Sequence, residues 1–243
     1  MTSGLTQDDV ALALDSAVGD VLAEAGIGSP PVDARTVAAA NGLIVAHDNR
    51  QQARARFVRL RQRSVSTQGS ILVRPEPRPE RLQWAIAHEI GESRVEQIFR
   101  RLSIDPQEAG DAARERFANQ LANRLLLPSA WFYRDALKYN WDLLALKLRY
   151  GTASHELIAR RMLDCAPPII MAVFDNGRLT WRRSNLPGSA PPLSPVERDC
   201  WRRASTEAIP CAGSDATCAV QAWPIHEPLW RREILRTEWQ NID

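Results

Sequence analysis

Between Trp84 and Phe99 the sequence sets a histidine and a glutamate on the apolar stripe of a helical repeat. At about 100° per residue, His88 and Glu92 lie about 40° apart and one turn from each other, with Trp84, Val95 and Phe99 on the same side. Polar groups on a face meant for burial need partners, so this helix has to pack against an element that supplies them. Glu89 is turned about 100° away from His88. The spacing, H-E-x-x-E, differs by one residue type from H-E-x-x-H, in which two imidazoles bind zinc and the first glutamate takes the proton of a water. Alone it is a weak signal, because many solvated helices carry one His and two Glu.

A third ligand has to come from elsewhere, and the run Ala113 to Pro128 offers one. It reads as a helix stopped by Pro128. With Glu115 at zero on the wheel, Ala118, Ala122, Leu125 and Leu126 fall within about 80° of it, so its carboxylate is expected on the buried side. A cation shared with His88 and Glu92 would offset the cost of that burial.

At these residues the chain resembles the ImmA/IrrE family of zinc metallopeptidases, in which an H-E-x-x-H helix is followed by a helix of the form E-x-x-A-N-x-x-A-x-x-L-L-x-P. Glu115, Ala118, Asn119, Ala122, Leu125, Leu126 and Pro128 match that second pattern in register. The resemblance implies that His88 is the first metal ligand, Glu89 the general base and Glu115 the third ligand. Glu92 stands where the family has its second histidine. Zinc is the implied metal, and a His/Glu/Glu set, richer in oxygen, makes manganese or iron more competitive. The implied fold is α+β: a zincin-like core of a small sheet and the motif helices, then a helical segment and a small C-terminal α+β module. The implied activity is that of a regulatory endopeptidase in the cytoplasm, cleaving a repressor-type transcriptional regulator. The alternative is a catalytically impaired, peptidase-like protein that only binds a regulator or DNA, which the departure at Glu92 keeps open.

With 243 residues, 44% hydrophobic and 25% charged, the chain has the composition of a globular protein that folds without staples. A net charge of +2 declares neither nucleic acid nor membrane as a partner. Arginines crowd from Arg54 to Arg63 and again near Arg160, Arg182 and Arg202, and such runs read as solvated faces. No basic stretch leads an apolar run at the N-terminus and no segment approaches roughly twenty apolar residues, so a cytoplasmic location without a membrane span is expected. Cys165, Cys200, Cys211 and Cys218 lack C-x-x-C spacing and read as reduced, with a Cys211 to Cys218 link as the other possibility.

Along the chain, residues 8–25 carry a helical period stopped by Gly26, and Asp33 opens a short helix closed by Asn41 and Gly42. Residues 43–47, 55–60 and 70–74 read as strands of a small antiparallel or mixed sheet, whose edge is suited to an extended substrate. His47, near a strand end, reads as incidental. Ser129 can cap a helix through Leu137. Residues 141–150, Gly151 and residues 152–163 have the outline of a helix-turn-helix carrying Arg160 and Arg161, a weak sign of DNA contact. His155 and Glu156 are adjacent in sequence, point to different faces and read as capping or surface residues. Pro167 and Pro168 mark a boundary, giving domains of 1–166 and 167–243. Beyond it come a hairpin over 169–183 through Asn176-Gly177, a helix opened by Ser194-Pro195-Val196-Glu197, and strands over 219–225 and 230–235. Trp201, Trp223, Trp230 and Trp239 favour a packed module there over a disordered tail.

Overall fold

The protein is α+β: a computed structural model describes residues 5–60, 68–165 and 167–239, and among these there are eight helices and two sheets. The chain divides into two compact units, one formed by residues up to 135 with 148–154, the other by 136–147 with 155 onward. Both units are discontinuous in sequence, and the helix ahead of the two prolines falls in the second.

The first unit opens with α1, Gln7–Glu24. Thr6 and Asp9 form a reciprocal capping box, the Asp9 amide donating to the Thr6 hydroxyl at 3.1 Å and the Thr6 amide to the Asp9 carboxylate at 2.9 Å. That cap starts the helix one residue earlier than its apolar period suggests. Next comes α2, Ala34–Ala40, whose N-cap Asp33 accepts from the Thr36 amide at 3.2 Å. Gln83 fixes this cap from the side, accepting from the Ala34 amide at 2.7 Å and donating to Asp33 at 2.6 Å.

Three strands follow, β1 (Ile44–His47), β2 (Ala55–Leu60) and β3 (Gln68–Val73). The sheet is mixed, in the order β1-β3-β2: β1 runs parallel to β3, and β2 pairs antiparallel with it, Phe57 opposite Ile71. Ile71 and Val73 of the central strand are fully buried. The expected arginine run continues past Leu60 to Arg61 and Arg63, which lie outside the described residues. Arg54 pairs with Glu76 at 3.2 Å.

The long helix α3, Pro79–Arg101, begins with proline at its first position, where the missing N–H costs nothing. It packs against α4, Asp111–Leu126, with Phe99 and Phe117 edge to face at 5.2 Å. The two backbones approach closely at Gly91: a Cβ there would lie 2.7 Å from the Ala118 carbonyl oxygen and 3.0 Å from its Cα. Only a residue without a side chain lets the two backbones come this near.

After Pro128 comes α5, Ser129–Lys138. The Ser129 hydroxyl donates to Asp15 of α1 at 2.6 Å. The short helix α6, Leu143–Arg149, like α5, contributes residues to both units.

In the second unit, α7 (His155–Met162) precedes a five-stranded antiparallel sheet of β4 (Ile169–Asp175), β5 (Arg178–Ser184), β6 (Cys211–Ser214), β7 (Cys218–Glu227) and β8 (Trp230–Trp239), in the order β5-β4-β8-β7-β6. The β4–β5 turn has both Asn176 and Gly177 at positive φ, +47° and +80°, the twist a two-residue hairpin needs. Between β5 and β6 lies α8, Pro195–Glu207, whose Ser194 and Glu197 form the expected capping box. Pro224 sits within β7 but beyond the reach of β6, which pairs only as far as Ala222, so its lost donor is on an open side.

Alternate residues of β8 serve opposite faces. Glu233, Leu235 and Thr237 meet α8, through the Trp201 indole at 3.2 Å, the Cys200 cluster and Glu197 at 2.6 Å. Arg232 and Arg236 face the other way, to Glu156 of α7 at 2.5 Å and over the Trp141 ring at 5.1 Å. Arg182 is no solvated arginine: both guanidinium nitrogens hold the buried Glu197 carboxylate, at 2.8 and 3.0 Å. Arg202 is the solvated one, with 69% of its side chain exposed. All four cysteines are free.

Candidate metal centre

The site is built where α3 and α4 run side by side. Two contacts one turn apart on both helices line up along the pair: Trp84 Nε1 donates to Asn123 Oδ1 at 3.0 Å, and His88 Nδ1 lies 3.0 Å from Asn119 Oδ1; Gly91 meets Ala118 beside the second. The Trp84 ring also stacks on His88, centroids 5.4 Å apart at 26°. A one-turn register on each helix therefore brings Glu92 opposite the start of α4, where Glu115 stands.

His88, Glu92 and Glu115 each present a ligand atom there, all within 4.8 Å of one another, and the group could hold a metal ion. His88 Nε2 is 3.6 Å from Glu115 Oε2. Two tetrahedral ligands at about 2.0 to 2.2 Å from one ion stand roughly 3.4 Å apart, so the observed separation suits a shared cation. The donors, one nitrogen and two carboxylate oxygens, suit a divalent first-row ion.

Glu115 is not buried as its place on the wheel suggests. Its side chain is 61% exposed, against 13% for His88. Burial along α4 begins only at Phe117, two residues after Glu115. The carboxylate closes the site from the solvent side, and Asn119 Nδ2 holds its other oxygen, Oε1, at 3.0 Å.

Glu89, on the neighbouring face of α3, is buried, and its Oε2 accepts the Phe57 amide of β2 at 2.6 Å. Burial pushes its pKa above the ordinary carboxylate range; the His88 charge and the Phe57 amide act downward, and the Glu92 and Glu115 charges add to the rise. A carboxylate raised in this way takes up a proton more readily near neutrality, as a general base requires. Phe57 also lines a cleft of about 480 Å³, with Leu43 and Gly69 from the sheet side and Ser93, Arg94 and Gln97 from α3. Ser93 follows Glu89 by one helical turn, and Phe57, whose amide Glu89 accepts, lines the same cleft.

No protein-family model matches this chain. A search of curated proteins likewise returns no match. Among solved structures it is similar to a Mycobacterium tuberculosis transcriptional regulator, with 20% identity over 93% of this chain and 75% of that one and a TM-score of 0.61. Likeness at that identity is a likeness of fold.

The other expected positions fall apart from this group. His47 is exposed at the end of β1. Glu156 is ion-paired with Arg160 at 2.7 Å and with Arg232 at 2.5 Å. Of the two arginines on α7, Arg160 also lies over the Trp181 ring at 4.6 Å, and Arg161 is buried and paired with Asp164 at 2.5 Å. Both are engaged within their own unit. The sequence reading gave no role to Asn119 or Gly91, although Asn119 stands four residues after Glu115, the spacing at which helical side chains meet. No helix among the described residues is long and apolar enough to cross a membrane.

Proposed function

We propose that the chain is a cytoplasmic metal-dependent regulatory endopeptidase with a zincin-like first unit, as its resemblance to the ImmA/IrrE family implies. What carries the reading is the convergence of His88, Glu92 and Glu115 beside a buried glutamate that touches a strand. Those three residues would hold the ion, with zinc as the first choice and manganese or iron favoured by the second carboxylate. A bound divalent ion supplies Lewis acidity toward a carbonyl and toward water.

The remaining work falls to this chain's own residues. Glu89 takes a proton at Oε2, the atom that lies against the Phe57 amide, and returns it to the departing amine. An extended substrate pairs along β2, the strand whose backbone meets the base, and its side chain enters the cleft beside Phe57 and Ser93. Burial of Glu89 keeps bulk water from the proton it carries. A repressor-type transcriptional regulator is the substrate class the resemblance implies, and the solved structure of similar fold is named as a transcriptional regulator. The engagement of Arg160 and Arg161 is the reason DNA is not carried forward as a partner.

The test is paired. Protein purified without chelator is assayed for metal by mass spectrometry, and a co-purifying regulator is followed for cleavage by the parent and by Glu89→Gln. The substitution keeps size and removes the acceptor, so metal content should hold while cleavage falls by about 10² to 10⁴. Undiminished cleavage by Glu89→Gln removes the assigned base, and a metal-free parent removes the metallopeptidase.

A further inference from the structure

Asn119 is not among the ligands, yet it touches two of them. Its Oδ1 is 3.0 Å from His88 Nδ1, and its Nδ2 donates to Glu115 Oε1 at 3.0 Å. The direction of both bonds follows from chemistry alone. An ionised carboxylate only accepts, so the amide nitrogen must face Glu115. The carbonyl end then faces His88, and since a carbonyl also only accepts, Nδ1 has to carry the proton. In the neutral imidazole this leaves the lone pair on Nε2, the atom that looks toward Glu115 Oε2 at 3.6 Å.

We propose that Asn119 is a positioning residue which, through one amide, sets the tautomer of His88 and the rotamer of Glu115. The consequence for the ion rests on the metal-centre reading above; the tautomer does not. No other side chain of this length does both jobs. Aspartate accepts from Nδ1 but cannot donate to Glu115, and it brings a third negative charge beside Glu92 and Glu115. Serine donates a single proton and sits too close to its own helix to span both partners. The surroundings make the amide a fixed post. Asn119 is half-buried one turn from Glu115 on α4, the Trp84 ring stacks on the imidazole, and the Gly91–Ala118 approach holds α3 at a set distance. Free imidazole favours the proton on Nε2, where it would block the coordinating lone pair. Asn119 reverses that preference before any ion arrives, and it also keeps Glu115 single-handed, with Oε1 committed and Oε2 available. Partners of this kind around a ligating histidine change metal affinity by about 10- to 100-fold.

The experiment uses the full chain, stripped of metal and labelled with ¹⁵N, at about pH 8.5, where imidazole is neutral. The ring ¹⁵N signals of His88, assigned by their loss in His88→Gln, report which nitrogen is protonated. The parent should show Nδ1–H. Asn119→Leu should shift the population toward Nε2–H, and Asn119→Asp, which retains the acceptor, should keep Nδ1–H. In parallel, zinc competition against a chromophoric chelator should show Asn119→Leu weakened by about 10- to 100-fold. A parent with its proton on Nε2 overturns the proposal, as does an Asn119→Leu protein with an unchanged tautomer. If Asn119→Leu does not fold, the Asn119→Asp spectrum decides: loss of Nδ1–H there also overturns it. A parent that shows the expected tautomer response but binds no zinc upholds the role of Asn119 and instead removes the metallopeptidase reading.

Discussion

The Trp84 indole donates to Asn123 Oδ1 at 3.0 Å, one turn along both helices from the meeting of His88 with Asn119. The bond ties the entry of α3 to the end of α4 and presses the indole against the imidazole. Trp84→Phe keeps an aromatic face for His88 and deletes the donor. Loss of a hydrogen bond of this type costs about 0.5 to 1.5 kcal/mol, and more if Asn123 is left without a partner. Urea unfolding of the variant should show that decrease in stability, and an unchanged midpoint would mean that water replaces the bond without loss.

Gly91 and Gly19 both lie inside helices, and the same substitution should act in opposite directions. At Gly91 an added methyl meets the Ala118 carbonyl at 2.7 Å, so Gly91→Ala should destabilise by about 1 to 3 kcal/mol and weaken metal binding by separating α3 from α4. At Gly19 nothing lies within 4 Å, and Gly19→Ala should be neutral or stabilise by up to about 1 kcal/mol through helix propensity. Thermal melts of the two variants side by side, with metal titrations, check both halves.

Glu92 is the position at which the chain departs from two-histidine chemistry. Two carboxylates leave a divalent ion formally neutral, where a His/His/Glu set leaves it at +1, and a neutral centre is the weaker Lewis acid. Glu92→Ala should lose metal, whereas Glu92→His should retain zinc and raise any peptidase rate. Mass-spectrometric metal content of the three proteins decides this: full occupancy in Glu92→Ala would make Glu92 a bystander.

Acid should loosen the second unit at Asp175. Burial alone would raise its pKa, but two bonds from Arg232, at 2.7 and 2.9 Å, and one from Thr180, at 2.9 Å, hold it below the ordinary carboxylate value. A lowered folded pKa contributes stability that is complete above the unfolded value and is lost as pH falls through the folded one. Urea midpoints measured from about pH 5 down to pH 2 should fall less steeply in Asp175→Asn than in the parent. Parallel curves would show that Asp175 contributes nothing to acid sensitivity.

Much of the arrangement was legible because it is written locally. The capping box at Ser194 and Glu197, the Asn176-Gly177 turn and the stop at Pro128 are fixed by neighbouring residues. That His88, Glu92 and Glu115 come together in a group that could hold a metal ion was legible from two helical spacings. The exposure of Glu115 was not, because a helical wheel gives direction and not where along the axis burial begins, which on α4 is at Phe117. Strand β6 was missed because Cys-Ala-Gly-Ser carries no strand signal of its own. Its Gly213 is needed by α8, since a Cβ there would lie 2.8 Å from the Cys200 sulfur. Pro167 and Pro168 interrupt the chain's composition, whereas α7 groups with β4 and β8 through Arg232 and Glu156, a contact between residues far apart in sequence. Asn119 lay in plain view, but its role depends on a histidine 31 residues away.

The backbone contact at Gly91 makes the centre a socket whose width is fixed independently of its pins. Because main chain rests on main chain, an imidazole or a carboxylate at position 92 faces the same opposite wall. Exchange of one pin alters what the socket accepts without remaking the frame. A single side-chain exchange at position 92 is a change this frame can absorb while the chain stays folded.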